Sequence, residues 1–201
     1  MILKMMVSEV FYSIQGEGAR MGEAAAFVRF FGCDLDCDFC DEPLHKSKYI
    51  EMSPLQVFER IQAWPTRWVI LTGGEPSLED RNLFIAFLQK QGYQVAVETN
   101  GYDPEHIARA DWITYSPKDW DQLQKDPFYD ELKLICDAQS SKARILEIAE
   151  DAGGKPVFLQ PLTRFEDPAA TEAAVSFCRQ MILDHPRLRL SLGLQRFLKF
   201  K

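Results

Sequence analysis

The chain has 201 residues, 46% hydrophobic and 26% charged, the proportions of an ordinary globular protein with enough apolar material for a core. Its net charge of -7 argues against the broad basic stripe of a nucleic-acid surface, yet leaves room for local Arg and Lys around a small polar or anionic ligand. Residues 1–18 are no signal peptide, since Lys4, Ser8 and Glu9 break the apolar run, and no stretch approaches the ~20 apolar residues that span a bilayer, so a cytoplasmic protein without a membrane or nucleic-acid partner is expected.

No internal repeat, low-complexity run or linker interrupts residues 1–201, which read as a single domain. AAAFVRFFG (24–32) reads as a strand. SPLQVFERIQAW (53–64) reads as a helix with Ser53 as N-cap and Pro54 at its first position. WVILTGG (68–74) is an apolar strand ending in glycines, and LEDRNLFIAFLQKQG (78–92) a helix closed by Gly92. YQVAVETNG (93–101) is the next strand, then DPEHIARA (103–110) a short helix. WITYSP (112–117), ELKLIC (131–136) and PVFLQPL (156–162) read as strands. Residues 140–152 and 168–185 are helical, and RLRLSLGL (187–194) is a last strand.

Strands alternating with helices imply parallel βαβ units, and buried parallel strands read as apolar runs, as these do. Roughly six or seven such units build either an open doubly wound sheet or a partial barrel; in both, ligands sit at the C-terminal strand ends. There the sequence places Gly73–Glu75, Glu98–Gly101, Ser116–Lys118 and Gln160–Pro161.

Five cysteines, three of them within eight residues, do not read as a secreted disulfide framework; a metal in a reducing compartment fits better. Cys33, Cys37 and Cys40 follow the first strand in a loop carrying four aspartates. Three thiolates at this spacing can wrap a [4Fe–4S] cube, which normally takes four Cys ligands, and so leave one iron open. A zinc site with His45 as fourth ligand is the alternative, though the usual second cysteine pair is missing. Cys136 and Cys178 read as small core residues, and Trp64, Trp68, Trp112 and Trp120 as core or interface residues.

The spacing Cys33-x3-Cys37-x2-Cys40, with Phe39 before the last cysteine, resembles the signature of the radical S-adenosylmethionine superfamily. Thr72-Gly73-Gly74-Glu75-Pro76 resembles its second landmark, where glycines let the backbone approach the methionine amino group; the plainer reading is a turn. Phe11-Tyr12-Ser13-Ile14-Gln15-Gly16-Glu17-Gly18 is similar to the opening of the 7-carboxy-7-deazaguanine synthase family. Phe27-Val28-Arg29, Glu98-Thr99-Asn100-Gly101, Ser116-Pro117-Lys118, Gln160-Pro161 and Leu194-Gln195-Arg196 agree in order, so the likeness runs along nearly the whole chain.

The resemblance implies an α/β fold, an abbreviated parallel β/α barrel of about six βα units. It implies ring contraction of 6-carboxy-5,6,7,8-tetrahydropterin to 7-carboxy-7-deazaguanine with loss of ammonia. A [4Fe–4S] cluster, S-adenosylmethionine and Mg2+ are the implied cofactors; a homodimer and a flavodoxin or ferredoxin as electron donor are the implied partners. Phe39, Gly73, Gly74, Glu75, Gly101, Ser116, Lys118 and Gln160 are implied to bind S-adenosylmethionine. Ile14, Gln15, Gly16, Glu17, Arg29 and Thr99 are implied to bind the pterin.

The residues suit these roles. Glu17 can accept hydrogen bonds from ring N–H groups. Arg29 interrupts an apolar strand and needs a partner, either a substrate carboxylate or an internal Asp. Asn100-Gly101 and Ser116-Pro117 also suit ordinary turns, and Gln160 a strand end. One position departs from the family pattern: Glu42 stands where a Ser or Thr hydroxyl commonly helps hold Mg2+. A carboxylate there either binds the ion more directly or replaces its charge. The rivals are a glycyl-radical activating enzyme of the same superfamily and a non-enzymatic metal-binding interaction module.

Overall fold

In the computed structural model, which describes residues 3–40, 46–124 and 128–198 (of Arg196 the backbone alone), the apolar runs join one sheet of nine strands. These are β1 (Met5–Ile14), β2 (Ala24–Phe30), β3 (Ile50–Met52), β4 (Trp68–Gly73), β5 (Gln94–Thr99), β6 (Trp112–Tyr115), β7 (Glu131–Cys136), β8 (Val157–Pro161) and β9 (Leu188–Leu190). Their spatial order is β3-β1-β2-β4-β5-β6-β7-β8-β9. β2 and β4 to β9 run parallel, and β1 is antiparallel to both β2 and β3. β3 and β9 end the sheet without pairing to each other, so the barrel is partial.

Period-2 alternation divides the side chains between two faces. Val28, Phe30, Val69, Leu71, Val95, Val97, Leu134 and Leu159 point to a large core, where they meet the helices. Those helices are α1 (Pro54–Ile61), α2 (Asn82–Lys90), α3 (Lys142–Asp151) and α4 (Pro168–Asp184). Cys136 and Cys178 are fully buried there, and Trp64 and Trp120 pack against it. The other face carries a smaller apolar floor of Ala25, Phe27, Ile70 and Ala96, flanked by Phe11, Trp68 and Trp112. Phe11 and Phe27 stack with centroids 4.9 Å apart. Beyond that floor the same face turns polar, and there the cleft opens.

Local chemistry sets the helix ends. Ser53 Oγ accepts from Gln56 N–H and the Gln56 side chain accepts from Ser53 N–H, a capping box with Pro54 at the first position. Gly92, at φ +84°, closes α2, and Tyr93 N–H reaches back to Leu88 C=O at 3.1 Å. Among the described residues no helix is long and apolar enough to cross a membrane.

Several elements differ from expectation, among them β3, which at three residues is too short to show an alternation and which the sequence does not announce. β1 has no counterpart in the sequence reading, because a register shift between Val7 and Glu9 breaks its alternation: Met5, Val7 and Val10 meet the large core, whereas Phe11 joins the cleft floor. The helix expected over 103–110 is a single 3-10 turn, Pro104–Ile107, capped by Asp103; one turn fixes backbone torsions for little hydrogen bonding. The helix expected from 78 starts at Asn82, after a 3-10 turn at Pro76–Leu78. The strand expected over 187–194 stops at Leu190, because Ser191 bonds inward, and a short helix α5 (Leu194–Leu198) follows.

Candidate active site

The C-terminal ends of the parallel strands enclose a cleft of about 520 Å³. Cys33, Cys37, Cys40 and Phe39 line it from the loop after β2. That loop is splinted to the end of β4: Gly74 N–H donates to Phe30 C=O at 3.0 Å and Glu75 N–H to Gly32 C=O at 2.7 Å. The approach demands glycine. A Cβ on Gly74 would lie 1.6 Å from Gly32 O, and one on Gly73, at φ +111°, would lie 2.4 Å from Phe30 N. None of the five cysteines is in a disulfide. Burial pushes the Cys33 thiol up to about 11, with Asp34 and Glu75 adding to it. Burial also raises Cys37, against the pull of Lys118. Protonated thiols give up those protons when metal binds.

The donor set suits an iron–sulfur cube with one corner left over: three thiols at one end of a cleft whose remaining walls carry oxygen and nitrogen groups. Among the described residues no three His, Cys, Asp or Glu side chains close on a point where a single ion would sit. Glu42 and His45 lie outside the described residues.

Glu75 is 2% exposed and ties the β4 end to β5. Its Oε1 accepts from Thr99 Oγ1 at 2.6 Å and Ser77 N–H at 2.9 Å, and its Oε2 from Asn100 N–H at 2.7 Å. Burial raises its carboxyl, and these donors offset part of the rise. The Thr99 hydroxyl also accepts from Gly101 N–H at 2.9 Å. Glu75 and Thr99 line the cleft, but their side chains are engaged within the protein.

A second network crosses the cleft. Lys133, from β7, is 5% exposed. Its ammonium donates to Glu17 and, at 2.9 Å, to Glu98 Oε2. Gln160 donates to Glu17 Oε1 and Gln15 to Glu98 Oε1, both at 2.9 Å. Burial alone would push Glu17 up, but the Lys133 charge and hydrogen bond outweigh it and hold the carboxyl below its ordinary range. Burial would likewise lower Lys133, but Glu17 and Glu98 together raise it.

Ser116 and Lys118 also face the cleft, and Lys118 Nζ donates to Ser116 C=O at 2.6 Å and Oγ at 2.8 Å. Burial, then the nearby Lys133, lowers the Lys118 ammonium. Arg29 lines the cleft with a Glu rather than an Asp beside it: Glu9, its cross-strand neighbour, sits 3.9 Å from Nε.

Three expected contacts stand apart from the lining. Ile14 is 40% exposed, and its carbonyl accepts from Gln195 Nε2 at 2.7 Å. Gly16 is pressed by the same residue, with Gln195 Oε1 1.7 Å from where its Cβ would stand. Gly101, at φ +92°, packs against the Tyr115 ring.

Lys133, Glu131 and Ser191 are residues at the site that sequence reasoning did not single out, and Glu98 and Gln195 were marked there only as members of motifs, without a role. Glu131 accepts from Ala19 N–H at 2.8 Å and Thr114 Oγ1 at 2.9 Å. Ser191 accepts from Gly18 N–H at 3.1 Å and donates to Gln160 at 2.8 Å. A usable signal existed in Glu131 and Lys133: two charges on one face of an otherwise apolar strand, the same anomaly that marks Arg29.

Residues 27–160 match the model of the Radical SAM superfamily. The 7-carboxy-7-deazaguanine synthase of Bacteroides thetaiotaomicron is 35% identical over 97% of this chain and 98% of its own. That of Synechocystis sp. is 34% identical over 96% and 91%. The crystal structure of QueE from Escherichia coli superposes with a TM-score of 0.72 at 24% identity, covering 94% of this chain and 93% of that one. The signature cysteines, the parallel partial barrel and this likeness along nearly the whole length agree: the chain belongs to the radical SAM superfamily and, within it, to the 7-carboxy-7-deazaguanine synthase family.

Proposed function

We propose that this enzyme converts 6-carboxy-5,6,7,8-tetrahydropterin to 7-carboxy-7-deazaguanine and ammonia, in queuosine or deazapurine biosynthesis. The observation that carries the reading is the cleft itself, which unites three cluster-spaced thiols with Arg29, Gln15 and Glu17 in one space of about 520 Å³. The relatives' shared name sets aside the activating-enzyme alternative. The radical SAM family implies a [4Fe–4S] cluster and S-adenosylmethionine, which Cys33, Cys37 and Cys40 would hold at one end of the cleft. Together, when bound, they supply a 5′-deoxyadenosyl radical for hydrogen abstraction.

The other residues of the cleft bind and orient. The Arg29 guanidinium suits the substrate carboxylate, for which it is a bidentate partner. Glu17 and Glu98 offer acceptors to the N–H groups of the pterin ring. Lys118, seated on Ser116, provides a cation near the cysteine loop for the carboxylate of S-adenosylmethionine. Glu75 and Thr99 act by fixing the β4 and β5 ends relative to each other. Glu42 is our proposed Mg2+ ligand, a hard carboxylate in place of a hydroxyl. A homodimer and a flavodoxin or ferredoxin donor complete the proposal.

The test uses anaerobically reconstituted protein with dithionite, S-adenosylmethionine and the carboxypterin, product being followed by liquid chromatography and mass spectrometry. Product that disappears in Cys33→Ala is the expected result. Release of 5′-deoxyadenosine without product would overturn the substrate assignment, and activity indifferent to Mg2+ and to chelator would overturn the Glu42 assignment.

A further inference from the structure

β7 presents Glu131, Lys133 and Ile135 on the face that looks toward the cleft, and Lys133 is the cation at its centre. A buried ammonium persists only where anions and hydrogen-bond acceptors surround it. Here the anions come from far apart in the chain: Glu17 from the loop after β1, 116 residues away, and Glu98 from β5, 35 residues away. The protein binds the remaining oxygens too, Gln160 on Glu17 and Gln15 on Glu98. Each carboxylate oxygen can accept more than one hydrogen bond. Both groups line the cleft, so an acceptor direction on each remains for a ligand. One ammonium against two carboxylates leaves the trio with one net negative charge. That charge favours a ligand edge rich in N–H donors and disfavours a second anion at the same spot.

We propose that Lys133 is a positioning residue for substrate: by bridging Glu17 and Glu98 it aims both carboxylates at the donor edge of a fused aminopyrimidinone ring. The proposal deepens the functional reading above and rests on it. The opposed shifts of Glu17, downward, and Lys133, upward, accord with a pair held in the charged state. Lys133 itself need not touch the reacting atoms. Its contribution is to substrate affinity and orientation, not to cleavage of S-adenosylmethionine.

The experiment compares reconstituted holoenzymes of the wild type, Lys133→Met, Glu98→Gln and the double variant Lys133→Met/Glu98→Gln. The double variant keeps the trio's net charge at the wild-type value, because the ammonium and one carboxylate leave together, so it remains informative if Lys133→Met alone fails to fold. The expected result is a carboxypterin KM about tenfold higher in the double variant than in Glu98→Gln, the loss typical of one charge-assisted hydrogen bond. The KM for S-adenosylmethionine and its uncoupled cleavage should change less than about twofold, since the hydrogen bonds of Lys133 go to Glu17 and Glu98 and none to the cysteine loop or to Lys118. If Lys133 has no part in orienting the substrate, the double variant and Glu98→Gln have equal carboxypterin KM, and the proposal is overturned. A wild-type enzyme that makes no 7-carboxy-7-deazaguanine at all overturns the functional reading, and the proposal with it.

Discussion

Gly101 closes β5 in a backbone conformation, φ +92°, that costs a residue with a Cβ about 1–2 kcal/mol. A methyl group there would also meet Tyr115 Cε2 at 2.5 Å, and that ring is held between Phe128 and Tyr129. Overpacking of this kind adds about 1–3 kcal/mol. Gly101→Ala should therefore lower unfolding stability by roughly 2–5 kcal/mol, read from the denaturant midpoint at unchanged slope. If Gly101 instead served only as a ligand contact, stability would hold and the KM for S-adenosylmethionine would rise alone. Gly74→Ala meets harder resistance, because its obstacle is the Gly32 carbonyl oxygen, a backbone atom that cannot rotate away. The expected outcome is poor cluster incorporation, seen as low iron and sulfide per chain after reconstitution, as the Cys33 loop is pushed off the end of β4.

Residues 15–20 behave as an element although they have little regular structure. β7 holds Ala19 through Glu131, Ser191 holds Gly18 just beyond β9, Lys133 and Gln160 hold Glu17, and α5 caps Gly16. Ser191→Ala leaves Gly18 N–H and one acceptor of Gln160 short of a partner in a buried place, a loss of about 1–3 kcal/mol. We expect lower stability together with a raised carboxypterin KM, while iron content stays at the wild-type level; an unchanged KM would separate this anchor from the substrate wall. The parallel strands around the loop were legible because strands buried on both faces read as apolar runs, and the cysteines because their spacing is chemistry in itself. β1 was hidden by its register shift, and β3 and α5 by their brevity. Arg29 was found as a charge inside an apolar strand; Glu131 and Lys133 carry the same mark in ELKLIC, but their meaning lies in partners 17 to 116 residues away, which no local pattern contains.

The molecule as a whole joins its two ends at the cleft: Gly18 bonds Ser191 across 173 residues, and the Gln15–Arg20 loop reaches from β1 near one sheet edge to β7, β8 and β9 at the other. Folding thus brings Glu17 to Lys133, and pH should report on that closure. Glu17 lies below its ordinary value of 4.5, so the folded state keeps it ionised where the unfolded chain already takes up a proton. Its stabilisation is fully present above about pH 4.5 and is lost as pH falls through the depressed value. Lys133 is shifted upward, so its share is fully present below about pH 10.5 and is lost only as pH rises through the raised value, far from the acid window. Glu75 and Glu131 are raised by burial and act in the opposite sense, weakening the fold as pH rises through their raised values. A comparison that cancels them is needed. Wild type and Glu17→Gln share those two carboxyls, so the difference between their unfolding free energies isolates Glu17. Measured by denaturant unfolding from about pH 7 to pH 3, that difference should stay level down to about pH 4.5 and then shrink. A constant difference over the whole range would mean that Lys133 does not hold Glu17 ionised, and that the two ends of the chain meet at this cleft for some reason other than charge.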